Sequence, residues 1–164
     1  MKVLKELIPY FIIILIVVLI RSFIITPVRV SGDSMYPTLK DKDIVILKKF
    51  DKSIERFNIV VFNYEGKKLI KRVIGLPGEH IKYVNGNLYI NNEKIDDMDL
   101  IPETSDFYLQ SLGYDVIPDN YYFVMGDNRG ISQDSRVIGL ISKKDITGVG
   151  VFRIYPFNKI GIVK

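Results

Sequence analysis

Three stretches of the chain carry side chains able to do nucleophilic or proton-transfer chemistry. The first is Ser31-Gly32-Asp33-Ser34-Met35-Tyr36-Pro37-Thr38-Leu39. Small, turn-forming residues there surround the hydroxyl of Ser34, and Pro37 stiffens the chain three residues later. A plain turn serine fits the same pattern. The second is Ile70-Lys71-Arg72-Val73-Ile74-Gly75-Leu76-Pro77-Gly78-Glu79. Strand alternation puts Lys71 on the face of Val73, opposite Ile70 and Arg72. A lysine on a buried face is costly unless its pKa falls, and the neutral amine that results can act as a general base. An outward lysine on an edge strand satisfies the same spacing. The third is Gly126-Asp127-Asn128-Arg129-Gly130-Ile131-Ser132-Gln133-Asp134-Ser135-Arg136. Polar residues this dense after an apolar strand form either a solvated turn or a hydrogen-bonded platform. Within it Asp134 and Arg136 can pair, and Ser132 offers a hydroxyl.

Other chemistries find less support. His80, the single histidine, is the only base available to a Ser-His-Asp triad; it heads a hairpin, and no Gly-x-Ser-x-Gly elbow accompanies it. Asp127 and Asp134 lack the Asp-Thr/Ser-Gly setting expected of an aspartic dyad. With no cysteine and one histidine, the chain has neither thiol chemistry nor a multi-histidine or thiolate metal site, and no cofactor is expected. The net charge of +4 suits a mixed solvated surface or an anionic membrane. It is too mild, and the aromatic residues too scattered, for nucleic acid.

These candidate groups must be held by the elements around them. Residues 7–20 contain no charged side chain, and the apolar run resumes after Arg21. Residues 7–25 together approach the roughly 20 needed to span a bilayer. Pro9 falls in the first turn of that helix, where proline is tolerated, and Arg21 can snorkel to the interface. Lys2 and Lys5 precede the span, so the positive-inside rule puts a short tail, residues 1–6, in the cytoplasm and residues 26–164 outside. A cleaved leader would have a shorter apolar core and an Ala-x-Ala-like site, and neither is present.

Pro27 is expected to end the helix. Beyond it come short alternating segments separated by turns. Asp43-Ile44-Val45-Ile46-Leu47, Asn58-Ile59-Val60-Val61-Phe62 and Leu69-Ile70-Lys71-Arg72-Val73-Ile74 read as strands. Ile81–Val84 and Asn87–Ile90 flank Asn85-Gly86, the strongest short hairpin signal because both residues tolerate positive φ. Tyr121-Tyr122-Phe123-Val124-Met125 is a strand, and the C-terminal tail supplies more. Residues 96–118 read as an irregular loop without an assignable role. The expected fold is mainly β: coiled antiparallel sheets or a barrel-like catalytic domain behind one transmembrane helix.

Taken in order behind an N-terminal anchor, Ser-Met-x-Pro-Thr-Leu, Lys-Arg-Val and Gly-Asp-Asn-Arg-x-x-Ser-x-Asp-Ser-Arg resemble the boxes of bacterial type I signal peptidases, membrane-tethered serine proteases with a Ser-Lys dyad. The resemblance covers nearly the whole chain, and the third box is highly specific. It implies Ser34 as nucleophile, Lys71 as general base and Ser132 as the hydroxyl that orients the base. It implies Asp134 and Arg136 as a supporting ion pair, and Gly126, Asp127 and Arg129 as scaffold. Some relatives carry an oxyanion-binding serine two residues before the nucleophile; here that position is Gly32, which leaves the backbone N–H of Ser34 as the expected donor. Met35 is a candidate pocket wall. The implied substrates are signal peptides of exported preproteins, cut after a small-x-small site. The implied enzyme is a monomer, held by the lipid bilayer in the plasma membrane with its catalytic domain on the outer face. Two rival readings stay open: a tethered β-barrel that binds peptides without catalysis, and a self-cleaving Ser-Lys protease of the repressor type.

Overall fold

A computed structural model describes residues 2–23, 25–48, 53–97 and 104–163. Helix α1, Lys2–Phe23, begins before the expected span and ends before Pro27. The chain is already extended at β1, Ile25–Arg29, which pairs antiparallel with β2, Ile44–Lys48. Proline is accommodated in β1 because this strand lies at the edge of its sheet. Side chains of α1 are described for residues 6–19, and its large apolar ones are 46–70% exposed on every side. Among the described residues, no helix is long and apolar enough to cross a membrane.

The remainder is mainly β. Strands β3 (Ile59–Tyr64), β4 (Lys67–Gly75), β5 (Ile81–Val84), β6 (Asn87–Ile90), β7 (Glu93–Ile95) and β8 (Phe107–Tyr108) come next. They are followed by β9 (Tyr121–Met125), a single helical turn α2 (Ser135–Ile138), β10 (Ile141–Ser142), β11 (Ile146–Tyr155) and β12 (Gly161–Val163). The larger sheet runs β1-β2-β11-β3-β4-β9-β10, with β12 paired to β11; the smaller runs β7-β6-β5-β8. Every pairing among the described residues is antiparallel. The long strand β11 serves β2, β3 and β12 in turn, with register shifts along it. Gly150, at φ +72°, provides one of these bends without a Cβ penalty.

The tight turns follow local chemistry. Asn85-Gly86 and Glu65-Gly66 both hold positive φ at their two central residues, the geometry whose twist matches a hairpin. Asn91 and Asn92 do the same between β6 and β7. Residues 96–118, read above as loop, contain β8 and a 3-10 turn, Leu109–Leu112, whose Phe107 and Leu109 join the core. Two strand residues are too few to show a period, which is why the pattern is silent there. Residues 98–103 of that stretch lie outside the described residues.

The central strands are covered on both faces. Ile59 and Val61 of β3 enter one core cluster with Met35, Leu39 and Leu47, while Val60 and Phe62 enter another with Val73 and Val124. The third cluster lies between the two sheets, around Ile74, Tyr83 and Phe123. As a result β4 is buried without interruption from Ile70 to Gly75. Two cations, Lys71 at 3% exposure and Arg72 at 0%, are therefore out of water side by side. A buried charge must find a partner or lose its proton, and these two do so differently.

Candidate active site

Ser34 sits in the connection between β1 and β2. The ends of that connection are pinned by Val30 N–H donating to Asp43 O (2.8 Å) and Lys42 N–H donating to Val30 O (3.0 Å). Inside it, Gly32 takes φ +83° and donates its N–H to Asp41 Oδ1 (3.0 Å). Tyr36 N–H closes a turn on Asp33 O at 3.0 Å, which places Ser34 at the crest. Leu39, fully buried, anchors the loop from below, and Arg153 donates to the carbonyl of Thr38. Met35, the candidate pocket wall, is 1% exposed and packs in the core with Leu39 and Ile59.

Lys71 reaches this loop from β4. Its Nζ lies 2.7 Å from Ser34 Oγ, although the residues are 37 positions apart. Burial pushes the amine down from 10.5 to about 8; the carboxylates of Asp134 and Asp127 pull it up, and the charge of Arg136 pushes it down again. Burial dominates because the strand offers no water to solvate an ammonium. At neutral pH a sizeable fraction of Lys71, roughly one molecule in ten, is therefore an uncharged base in contact with a hydroxyl.

The loop after β9 closes the site. Asn128 N–H donates to Ser34 O at 3.0 Å, tying this loop to the serine's own backbone. Gly126 is packed so closely that a Cβ would stand 2.4 Å from Ser34 O and 2.2 Å from Ser132 Oγ. Only glycine fits such an approach. Asp134, wholly buried, knits the loop. It accepts from Gly126 N–H (3.0 Å) and from Arg136 Nε (2.8 Å) and Nη2 (2.9 Å). Asp127, also fully buried, receives Arg72 through two bonds, Nε to Oδ1 at 2.8 Å and Nη2 to Oδ2 at 2.6 Å. This two-pronged pairing is the strong form of an arginine–carboxylate contact. It meets the buried guanidinium of Arg72 with a carboxylate, whereas the Lys71 amine contacts a hydroxyl.

The structure thus brings Ser34 and Lys71 into contact, pairs Asp134 with Arg136, and stacks Gly126 between Ser132 and the Ser34 carbonyl. Ser132 Oγ is buried and makes no hydrogen bond among the described residues, so the expected bond to Lys71 is not formed here. Asp127 and Asp134 each serve a different arginine, an arrangement unlike a proton-sharing dyad. His80 is half-buried, and its Nε2 meets Gln110 Nε2 at 2.9 Å in the smaller-sheet region. A cavity of about 500 Å³ lined by Asp119, Asn120, Tyr121, Ser142, Lys143 and Lys144 shares no residue with the Ser34–Lys71 contact.

Several members of the site receive no role in the reading of the sequence. Arg72 had a usable signal, a second cation inside an apolar strand that must be paired if buried. Ser135, whose hydroxyl accepts from Val124 N–H at 2.9 Å, and Asn128, which acts through its main chain, had none. Asp97 lies in the stretch read as structureless, yet it meets Arg129 Nη1 at 2.5 Å and Nη2 at 2.9 Å.

Comparison with known proteins points one way. Residues 4–155 match the family model described as Signal peptidase, peptidase S26. The chain is 41% identical over 158 residues to signal peptidase I S of Bacillus subtilis (strain 168), covering 90% of this chain and 86% of that protein. It is 37% identical over 177 residues to signal peptidase IB of Staphylococcus aureus (strain Mu50), covering 94% and 93%. The crystal structure of a signal peptidase I from Enterococcus faecalis V583 aligns with a TM-score of 0.57 at 34% identity, covering 60% of this chain and 97% of that one.

Proposed function

Because the chain belongs to the signal peptidase family, peptidase S26, we propose that it removes signal peptides from exported preproteins with Ser34 as nucleophile and Lys71 as general base. It is a signal-peptide-cleaving serine peptidase of the signal peptidase I type. The observation that carries the assignment of roles is the 2.7 Å contact between Lys71 Nζ and Ser34 Oγ, made by an amine that burial holds near 8.

The neutral amine takes the Ser34 proton as Oγ attacks the scissile carbonyl. The backbone N–H of Ser34 faces the developing oxyanion, and Gly32 contributes no hydroxyl there. The resulting ammonium passes its proton to the leaving amine when the C–N bond breaks, which leaves an ester on Ser34 and restores the base. Lys71 then deprotonates a water that hydrolyses the ester. Ser132, a buried hydroxyl beside Gly126 without a partner among the described residues, is available to orient the amine during these transfers. Asp134 with Arg136, Asp127 with Arg72, and Arg129 act as scaffold.

The apolar run 7–25 serves as a single transmembrane anchor through its α1 part, which stops before β1 begins at Ile25, with residues 1–6 cytoplasmic and the peptidase domain, residues 26–164, on the outer face. Apolar side chains exposed around the whole circumference of α1 support this, since a helix apolar on all sides needs an apolar surround. The enzyme acts as a monomer at the bilayer surface. The deciding experiment incubates the full chain in detergent with a preprotein carrying an Ala-x-Ala site, beside Ser34→Ala and Lys71→Ala. The parent is expected to cut and both variants to lose nearly all activity; equal cutting by all three would remove the dyad. Protease added to intact spheroplasts is expected to digest the β domain, and full protection would reverse the orientation.

A further inference from the structure

The guanidinium of Arg129 is buried at 3% exposure and bonded on every side. Its Nε donates to Gly126 O (3.1 Å), within its own loop. Its Nη1 reaches Tyr83 Oη (3.0 Å) on β5 of the smaller sheet, and Thr104 Oγ1 (2.9 Å) and Asp97 Oδ2 (2.5 Å) on the segment beyond β7. Its Nη2 completes the fork on Asp97 Oδ1 (2.9 Å). Tyr83 closes the circuit by donating its hydroxyl to Asp97 Oδ2 at 2.6 Å. Burial and the Asp97 carboxylate hold that phenol well above its ordinary range, so it remains a donor at any working pH.

This network grips the loop at a sensitive place. Asn128, the residue before Arg129, donates its N–H to Ser34 O and accepts at its own carbonyl from Ser132 N–H (3.1 Å). The carbonyl of Arg129 accepts from Arg136 Nη2 (2.8 Å), and Arg136 in turn holds Asp134. We infer that Asp97 and Tyr83 are positioning residues for cleavage: by clamping Arg129 they set the loop that aligns Ser34, Ser132 and Lys71, so the smaller sheet acts on the reaction without touching substrate. The inference rests on the Ser34–Lys71 assignment of roles. Displacing reacting groups by about 1 Å costs roughly 100-fold, and loosening one support of such a loop is enough to do so in part.

The test measures kcat and KM separately on the full chain in detergent, from pH 6 to 10, with an Ala-x-Ala preprotein. Each rate is normalised to the folded fraction from a thermal melt. Tyr83→Phe keeps the packed ring and removes only the hydroxyl; about a tenfold fall in kcat with KM within about twofold is expected. Asp97→Asn is expected to lose about 10- to 100-fold, with the acid limb of the profile moved to higher pH as water reaches Lys71. Asp97→Glu should recover most of that loss. If Asp97→Asn does not fold, Tyr83→Phe and Asp97→Glu decide. Per-molecule kcat within twofold of the parent and an unmoved pH midpoint in every folded variant would overturn the clamp. Ser34→Ala runs alongside: its loss of cutting beside unaffected clamp variants rejects the clamp alone, whereas its continued cutting rejects the dyad beneath it.

Discussion

Replacing Lys71 with methionine should make the protein more stable at neutral pH while abolishing its activity. Met is of similar length, stays apolar and leaves the strand packed. The magnitude follows from the same burial that makes the base. The folded pKa, about 8, lies below the 10.5 of a free lysine. The unfolded chain therefore binds more protons between those values, and stability rises with pH across that window. Below about pH 8 the full cost of protonating a desolvated amine is present, about 3 kcal/mol at 1.36 kcal/mol per pH unit. By about pH 10 most of it is relieved. Lys71→Met escapes the cost but gives up the contact with Ser34 Oγ, worth about 1 kcal/mol. A net gain of about 2 kcal/mol is expected at pH 7, and it should vanish or reverse by about pH 10. Urea unfolding of both proteins in the same detergent at pH 7, 8.5 and 10 measures the gap. On the rate side, the parent's kcat/KM should rise about tenfold from pH 7 to pH 9 and then level off, following the neutral fraction of the amine. A stability gap that is the same at all three pH values, or a rate flat from pH 6 to 9, would refute the premise that burial lowers the pKa of Lys71.

Two further outcomes follow from the loop beyond β9. Gly126→Ala puts a methyl 2.4 Å from Ser34 O and 2.2 Å from Ser132 Oγ, so backbone must move. A cost of about 1–3 kcal/mol is expected in urea unfolding, together with a loss of cleavage well beyond the change in folded fraction; normal activity would show that the two loops tolerate separation. Asp127→Asn leaves Arg72 charged at 0% exposure. It should cost about 3–5 kcal/mol in the same assay, and an apolar pair at both positions should recover much of that; a single variant as stable as the parent would mean the pair is solvated in solution.

Much of the fold was legible in the order of residues, because local rules decide it. The β-branched, apolar run of Ile59–Tyr64 and the Asn85-Gly86 turn need no distant information. The exposed apolar helix was legible from composition alone, although Pro27 marks not its end but a place in the edge strand that follows. The chemical residue types were visible too: a serine in a turn, a lysine inside an apolar strand, a dense polar loop. Alternation placed Arg72 and Lys71 on opposite faces of the strand but did not say that both faces are covered. Packing on both sides of β4 buries both, and only three-dimensional coverage decides that.

The sequence alone determined which groups can react and the kind of element that carries each, since strand, turn and helix preferences act over a few residues. Tertiary structure decided which of them meet. Ser34 and Lys71 are 37 residues apart, Arg72 and Asp127 are 55, and Arg129 and Asp97 are 32. Each pairing depends on strand order and on how completely the sheets exclude water. Exclusion of water is what lowers the pKa of one of two neighbouring cations, so that part of it is a neutral base near pH 7, and obliges the other to keep a carboxylate partner. It is a property of the packed sheets as a whole, and no local stretch of residues carries it.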